Sequence, residues 1–326
     1  MSIFAILFAL LIEQVRPLAQ GNPIHASARA WSRWVSGNID AGKSPHGWVA
    51  WVLAVGVPSA IAAGVHWALW STLGYVAALV WSVFVLYACL GFRQFSHYFT
   101  DIRDALDDGN EEQARTLLAR WQQVDASQLP RREIVRHVIE YSVLAAHRHV
   151  FGVLAWYVFL AAVGLGPAGA VLFRLSEFVA RYWKYKNREH QQPVSAALQD
   201  AASQAWTVID WLPARITALG FAVVGSFEDA IDGWRNHAQL FPNDNDGVIL
   251  AATSGAVNVR LGGEALKAAV AAAGPLGQPT PPQDSESTPG REPEAGHLRS
   301  VVGLVWRSVV LWLVLLSLLT LARLLG

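Results

Sequence analysis

Arg174 and Glu177 stand three residues apart, directly after the charge-free run Val150–Phe173, and Arg215 precedes a second, shorter apolar run, Ile216–Val224. An ionisable group at bilayer depth is costly to desolvate, so such a residue is paired, functional, or drawn out along the surface to the headgroups. These three therefore read either as groups that serve a ligand or as a structural pair with a snorkelling arginine, and spacing alone leaves both open. Ten histidines raise the question of a metal. His147 and His149 flank Arg148, but i,i+2 spacing puts them on different faces of a helix and the cation between them disfavours a metal ion. A juxtamembrane interfacial cluster fits them better. The carboxylates Asp101, Asp104, Asp107, Asp108, Glu111 and Glu112 are interleaved with Arg103 and Arg115, the pattern of a solvated helix face more than of a magnesium cradle. The chain has no phosphate-binding glycine loop, no CxxC, no HExxH and no GxSxG, so the nucleotide, zinc and serine-hydrolase templates are absent.

Membrane helices must position these residues. From Ser44 to Phe92 there is no Asp, Glu, Lys or Arg, and these 49 residues fit two spans joined by a tight hairpin near His66-Trp67. Trp48, Trp51, Trp67 and Trp70 stand where interface anchors belong. Val301–Leu325, interrupted only by Arg307 and Arg323, reads as a further span with snorkelling ends. Met1–Ile12 is apolar but lacks a basic leader and a small-residue cleavage site, so a short retained helix is expected there. Within Val150–Phe173 the run Gly164-Leu165-Gly166-Pro167-Ala168-Gly169 should break a helix. Positive charge at Arg16, Arg29, Arg33 and Lys43 assigns that side to the cytoplasm. A full crossing at Val150–Phe173 would put the basic residues Arg174, Arg181, Lys184, Lys186 and Arg188 outside, so charge favours a re-entrant or broken helix.

Between Arg93 and His149, apolar residues at three- and four-residue spacing (Phe95, Phe99, Ile102, Leu106; Leu117, Leu118, Trp121) mark amphipathic helices with a turn at Asp108-Gly109-Asn110. A helix is expected from Pro193 through Asp210, followed by Trp211-Leu212-Pro213-Ala214-Arg215 and by Ile216–Val224, which is too short to span alone. Gly274–Gly296 holds six prolines and has the composition of a tether. The chain divides accordingly into an N-terminal helix and hairpin (1–92), cytoplasmic amphipathic helices (93–149), a broken membrane helix with its basic and Pro-Ala-Arg segments (150–272), a proline-rich linker (273–298) and a C-terminal span (299–326). The expected fold class is all-α: a polytopic helical membrane protein.

Composition agrees. Hydrophobic residues make up 53% of 326 and charged residues only 15%, with a mean hydropathy of +0.29, whereas a soluble domain carries about 25% charged residues. Lys+Arg and Asp+Glu balance at 25 each, so no excess of positive charge points to nucleic acid. The single Cys89, inside an apolar run, excludes an intramolecular disulfide.

The order of several short motifs is similar to that of a known family. Arg93, Asp125-Ala126-Ser127-Gln128-Leu129, the helix Arg136-x-x-x-Glu140, Gly166-Pro167-Ala168-Gly169-Ala170 with Phe173-Arg174, Trp211-Leu212-Pro213-Ala214-Arg215, Pro242-Asn243, Ser254-Gly255-Ala256 and Leu261-Gly262-Gly263 together resemble the CobD/CbiB family of membrane-bound adenosylcobinamide-phosphate synthases. The resemblance implies an ATP-dependent amide synthesis joining an aminopropanol phosphate to the carboxylate of adenosylcobyric acid, with Mg-ATP as cofactor if the protein is active. It implies Asp125, Glu140, Glu177 and Asp210 as catalytic or metal-nucleotide residues, Arg174, Arg215 and Asn243 as phosphate or substrate ligands, a corrinoid or other small ligand, and an inner (plasma) membrane location.

The chain also departs from that pattern. The family's early histidine is Asn22 here, the arginine of its Gly-Arg-Asp-Thr is Val124, and its Glu-Asn pair after Glu140 is replaced by Leu144-Ala145. Ser176-Glu177-Phe178-Val179 and Trp206-Thr207-Val208-Ile209-Asp210 replace stretches richer in Asp and Asn. A second branch, AmpE, an inner-membrane protein associated with signalling, is also similar and shares the loss of acidic motifs. It implies a non-catalytic sensing role as the alternative.

Overall fold

Gly47, Gly56 and Gly64 all stay helical in the run from Ser44, and the computed structural model continues one helix to Leu73 before Gly74 turns the chain. Residues 2–18, 22–122, 126–189, 194–262 and 287–325 are described. Their helices are α1 (Ser2–Val15), α2 (Pro23–Ile39), α3 (Ser44–Leu73), α4 (Tyr75–Cys89), α5 (Phe92–Asp107), α6 (Glu111–Gln122), α7 (Arg131–Ala162), α8 (Ala168–Glu189), α9 (Ala196–Val224), α10 (Phe227–His237), α11 (Asp244–Val257) and α12 (Ala295–Leu325). The only extended pairing among the described residues is an isolated bridge between Val259 and Arg291. The fold is all-helical, and α3, α7, α9 and α12 are each long and apolar enough to cross a bilayer. Large apolar side chains stand exposed along them, among them Ile61 on α3, Val208 and Leu219 on α9, and Val314 and Leu318 on α12. Exposed apolar faces of that extent need lipid. The chain is a multi-pass membrane protein.

The contacts divide the chain into two units, residues 1–92 with 148–213 and residues 93–147 with 214–326. In the first, Asn22 caps α2 by accepting the His25 N–H (2.9 Å), with Pro23 at the first helical position. Val35, Ala54, Val55, Val179, Trp183 and Leu198 form a core among α2, α3, α8 and α9. The hairpin between α3 and α4 turns at Gly74, whose φ is +81°, not near His66-Trp67. Only glycine adopts that conformation without strain, so α3 takes 30 residues and leaves α4 only 15. The π-helical turn Val52–Gly56 precedes Pro58, which has no N–H to donate back to Ala54.

The break expected at Gly164–Gly169 is present, while two details of the membrane helices change. Val150–Ala162 is not a separate half-helix but the end of α7, which begins at Arg131 and stays helical through Gly152. After the turn at Val163–Pro167, α8 returns against it. Gly152 faces the Phe173 ring and Gly169 faces the Trp156 carbonyl, each without room for a β-carbon. The second change concerns Ile216–Val224, which is the end of α9, continuous through Pro213. A proline inside a helix leaves the carbonyl four residues earlier without its donor. That carbonyl belongs to Ile209, and the Trp156 indole N–H donates to it at 2.9 Å.

A prediction follows. Trp156→Phe leaves the Ile209 carbonyl unsatisfied and costs about 1–3 kcal/mol. Adding Pro213→Ala restores a backbone donor and should recover most of the loss, as read by thermal unfolding in detergent. If the double variant is no more stable than Trp156→Phe alone, the indole is not standing in for the missing N–H.

In the second unit α10 and α11 pack as a pair, α7 and α12 share an interface, and Ala218, Val248 and Ala252 form a small core. Most of the proline-rich segment lies outside the described residues. Its end folds back: Thr288 is buried, its N–H donates to the Leu261 carbonyl (2.9 Å), and its Oγ1 accepts from Ser254 Oγ (2.7 Å) and from the Leu261 N–H (2.8 Å).

Candidate functional site

The sequence-derived residues fall into both units. In the first, α8 places Arg174, Glu177 and Arg181 on one face by i,i+3 and i,i+4 spacing. Glu177 is buried; its Oε2 accepts from Arg174 Nη1, and its Oε1 accepts from Arg181 Nη1 at 2.7 Å. Burial pushes its carboxyl up, but Arg181 and Arg174, joined by His149 and Arg148, outweigh that and hold it at about 2. Glu177 is therefore a carboxylate held from both sides by guanidinium groups. Asp210, also in the first unit, is fully buried on α9.

Arg174 also lines a cavity of about 460 Å³ enclosed by α2, α3, α4 and α8, together with His25, Arg29 and Cys89. His25 is half-buried and held below the ordinary imidazole range, first by burial and then by Arg174 and Arg29.

In the second unit Glu140 is buried on α7. Its Oε1 accepts the Gly262 N–H at 2.7 Å. Its Oε2 is buried and makes no hydrogen bond among the described residues. Gly262 can present its N–H this way because its φ is +80°. One turn before Glu140, the buried Arg136 pairs with Glu133 at 3.0 Å. Arg215 Nη1 donates to Asn245 Oδ1 at 3.0 Å. Asn243 caps α11: its Oδ1 accepts the Asn245 N–H (3.3 Å), and its Nδ2 donates to Asp246 (3.2 Å). The Phe241 ring lies beside Gly262, so Asn243, Asn245 and Gly262 belong to one neighbourhood.

The structure thus brings Arg174 to Glu177, Glu140 to Gly262, and Arg215 to the Asn243 cap through Asn245. Asp125 lies outside the described residues. Arg181, Asn245 and the pair His25 and Arg29 were not singled out from sequence as site residues. Arg181 was within reach, since it lies four residues after Glu177; Asn245 carried no local signal, because its partner is 30 residues away.

Mg²⁺ prefers an octahedral set of oxygen ligands. Among the described residues no three His, Cys, Asp or Glu side chains gather where they could hold a metal ion. Both Glu177 oxygens are committed to arginines, and Glu140 has no second carboxylate within such a group. The described residues do not fit a resident Mg-nucleotide site. What they can do is bind: Glu140 Oε2 can accept a donor, and Arg174 in the cavity lining can attract an anion.

Removing the Glu140 carboxylate separates its two roles. Glu140→Gln keeps an oxygen for the Gly262 N–H, whereas Glu140→Ala leaves that N–H unpaired. The alanine variant should lose about 1–3 kcal/mol more than glutamine, measured by thermal unfolding. Equal losses would show that the Gly262 contact contributes nothing.

Comparison with known proteins places these motifs in a lineage. The family model "CobD/Cbib protein" matches residues 3–289. The cobalamin biosynthesis protein CobD of Stutzerimonas stutzeri is 29% identical over 323 residues, covering 97% of each chain. That of Chromobacterium violaceum is 31% identical over 183 residues, covering 56% of this chain and 55% of its own. That of Photorhabdus laumondii is 29% identical over 221 residues, 65% of each. No solved structure gives a significant match. The match takes in Glu140, Arg174, Glu177, Asn243 and Gly262 alike, and a relative aligns nearly end to end; this chain belongs to the CobD/CbiB family.

Proposed function

We propose that this protein serves cobalamin biosynthesis in the inner (plasma) membrane, joining an aminopropanol phosphate to the carboxylate of a corrinoid such as adenosylcobyric acid. The observation that supports this most is the near end-to-end similarity to a cobalamin biosynthesis protein, combined with the buried Glu140 and its contact with the Gly262 N–H. Amide formation from a carboxylate needs an activated acyl group and an amine freed of its proton, and a buried carboxylate with one open oxygen suits the orientation of an ammonium group. The basic groups suit phosphate. No step is assigned to a metal-nucleotide, because the described residues do not build its ligand set.

A second reading, a fold that binds its ligand without turnover as in the AmpE branch, is favoured by one observation: both Glu177 oxygens are held by arginines and unavailable to a metal. Purified full-length protein incubated with ATP, Mg²⁺, aminopropanol phosphate and adenosylcobyric acid separates the two. Formation of the amide product supports the synthase reading. Corrinoid binding without product supports the second, and neither binding nor turnover overturns both.

A further inference from the structure

The cavity in the first unit has a lining that is almost wholly apolar but includes Arg29 and Arg174. Pro58 and Ile61 from α3, and Trp81 and Phe84 from α4, form much of the apolar part. The Trp81 indole is fixed by donating to the Ala62 carbonyl at 3.1 Å and stacks on Phe84. Ile61 and Phe84 are 59% and 50% exposed on helices whose outward faces need lipid, so the cavity borders the bilayer.

The same lining includes Arg29 and Arg174, and both act on His25. Arg29 is half-buried and makes no hydrogen bond or ion pair among the described residues. Arg174 gives only Nη1 to Glu177, a carboxylate that Arg181 also neutralises. Positive charge is in excess there, in a space whose volume is that of a small-ligand site. A free phosphate would satisfy the arginines but leave the apolar walls empty, and a neutral hydrocarbon would do the reverse.

We propose that this cavity binds an anionic phospholipid of the surrounding bilayer, with its phosphate between Arg29 and Arg174 and an acyl chain against Ile61, Trp81 and Phe84. Basic pockets between membrane helices recognise anionic headgroups by this chemistry, at about fivefold in affinity per arginine. The lipid would fill the space between α2 and the membrane helices. The site shares Arg174 with the basic groups of the amide-forming reading, but lipid retention is read without turnover, so its failure and the failure of that reading are distinguishable.

The test is native mass spectrometry of the full-length protein released from mild detergent with phosphatidylglycerol or phosphatidylcholine of matched chains. Phosphatidylglycerol should be retained at least about fivefold better, Arg29→Gln should remove about that factor, and Ala88→Phe, which fills the cavity, should reduce retention of both lipids. Equal retention of the two lipids by the wild type overturns the proposal. So does a preference that survives both substitutions, and so does displacement of bound phosphatidylglycerol by inorganic phosphate alone, which would mark a small-anion site. Should Arg29→Gln fail to fold, the wild-type comparison and Ala88→Phe still decide.

Discussion

Glu177→Gln should destabilise the protein by about 3 kcal/mol or more, because it removes the carboxylate from between two guanidinium groups and leaves Arg174, which is only 20% exposed, without its counter-charge. Breaking a buried pair from one side costs more than the pair itself contributes, since the remaining charge is left desolvated. Arg181→Ala should cost far less, about 1 kcal/mol, because that side chain is 58% exposed and water can take its place at the carboxylate.

The pH dependence has a definite sign. The Glu177 carboxyl is lowered from 4.5 to about 2 in the folded protein. Its contribution is therefore complete above 4.5 and is lost as the pH falls from there toward 2. Thermal unfolding in detergent between neutral and acid pH should show a decline in that window for the wild type and a flatter profile for Glu177→Gln. A variant whose profile parallels the wild type would mean that Glu177 is not held as described.

Gly169→Ala is expected to lose about 3 kcal/mol, a large effect for a single methyl group. A β-carbon at Gly169 would overlap the carbonyl group of Trp156, which is helix backbone and cannot swing aside as a side chain can. The hairpin of α7 and α8 would have to separate, taking with it the Trp156 bond to Ile209 that supports α9 through Pro213. Gly303→Ala is the control, because nothing lies within 4 Å of a β-carbon there, and alanine in a helix interior gains up to about 1 kcal/mol over glycine. Equal melting temperatures for the two variants would refute the close approach of α7 and α8. The two substitutions act on linked elements, so Glu177→Gln and Gly169→Ala should not be strictly additive.

The candidate site was legible where it depended on local spacing. Arg174 and Glu177 sit three apart, and a helix brings such residues together whatever surrounds it. Glu140 and Asn243 were visible only through resemblance to a family. Their partners could not be read from the chain, because Gly262 lies 122 residues from Glu140. The hairpin turn expected at His66-Trp67 fell eight residues early, since an equal division of an apolar run ignores which residue can take a positive φ. The helix expected to end at Asp210 runs on through Pro213 to Val224. Whether a proline ends a helix depends on whether another group donates to the abandoned carbonyl, and that donor came from a different helix.

Sequence by itself determined that this chain is helical, lives in a membrane and carries the motif order of its family, because a deficit of charge and long charge-free runs have few solutions in water. Tertiary structure alone decided what the remaining charges do. It gave both oxygens of Glu177 to arginines, gave one oxygen of Glu140 to a backbone N–H, and set Arg29 and Arg174 in the lining of a largely apolar cavity. Composition counts such groups, but their pairing depends on which helices pack together, and that is settled by contacts as long-range as Trp156 with Ile209 and as small as the missing β-carbon of Gly169.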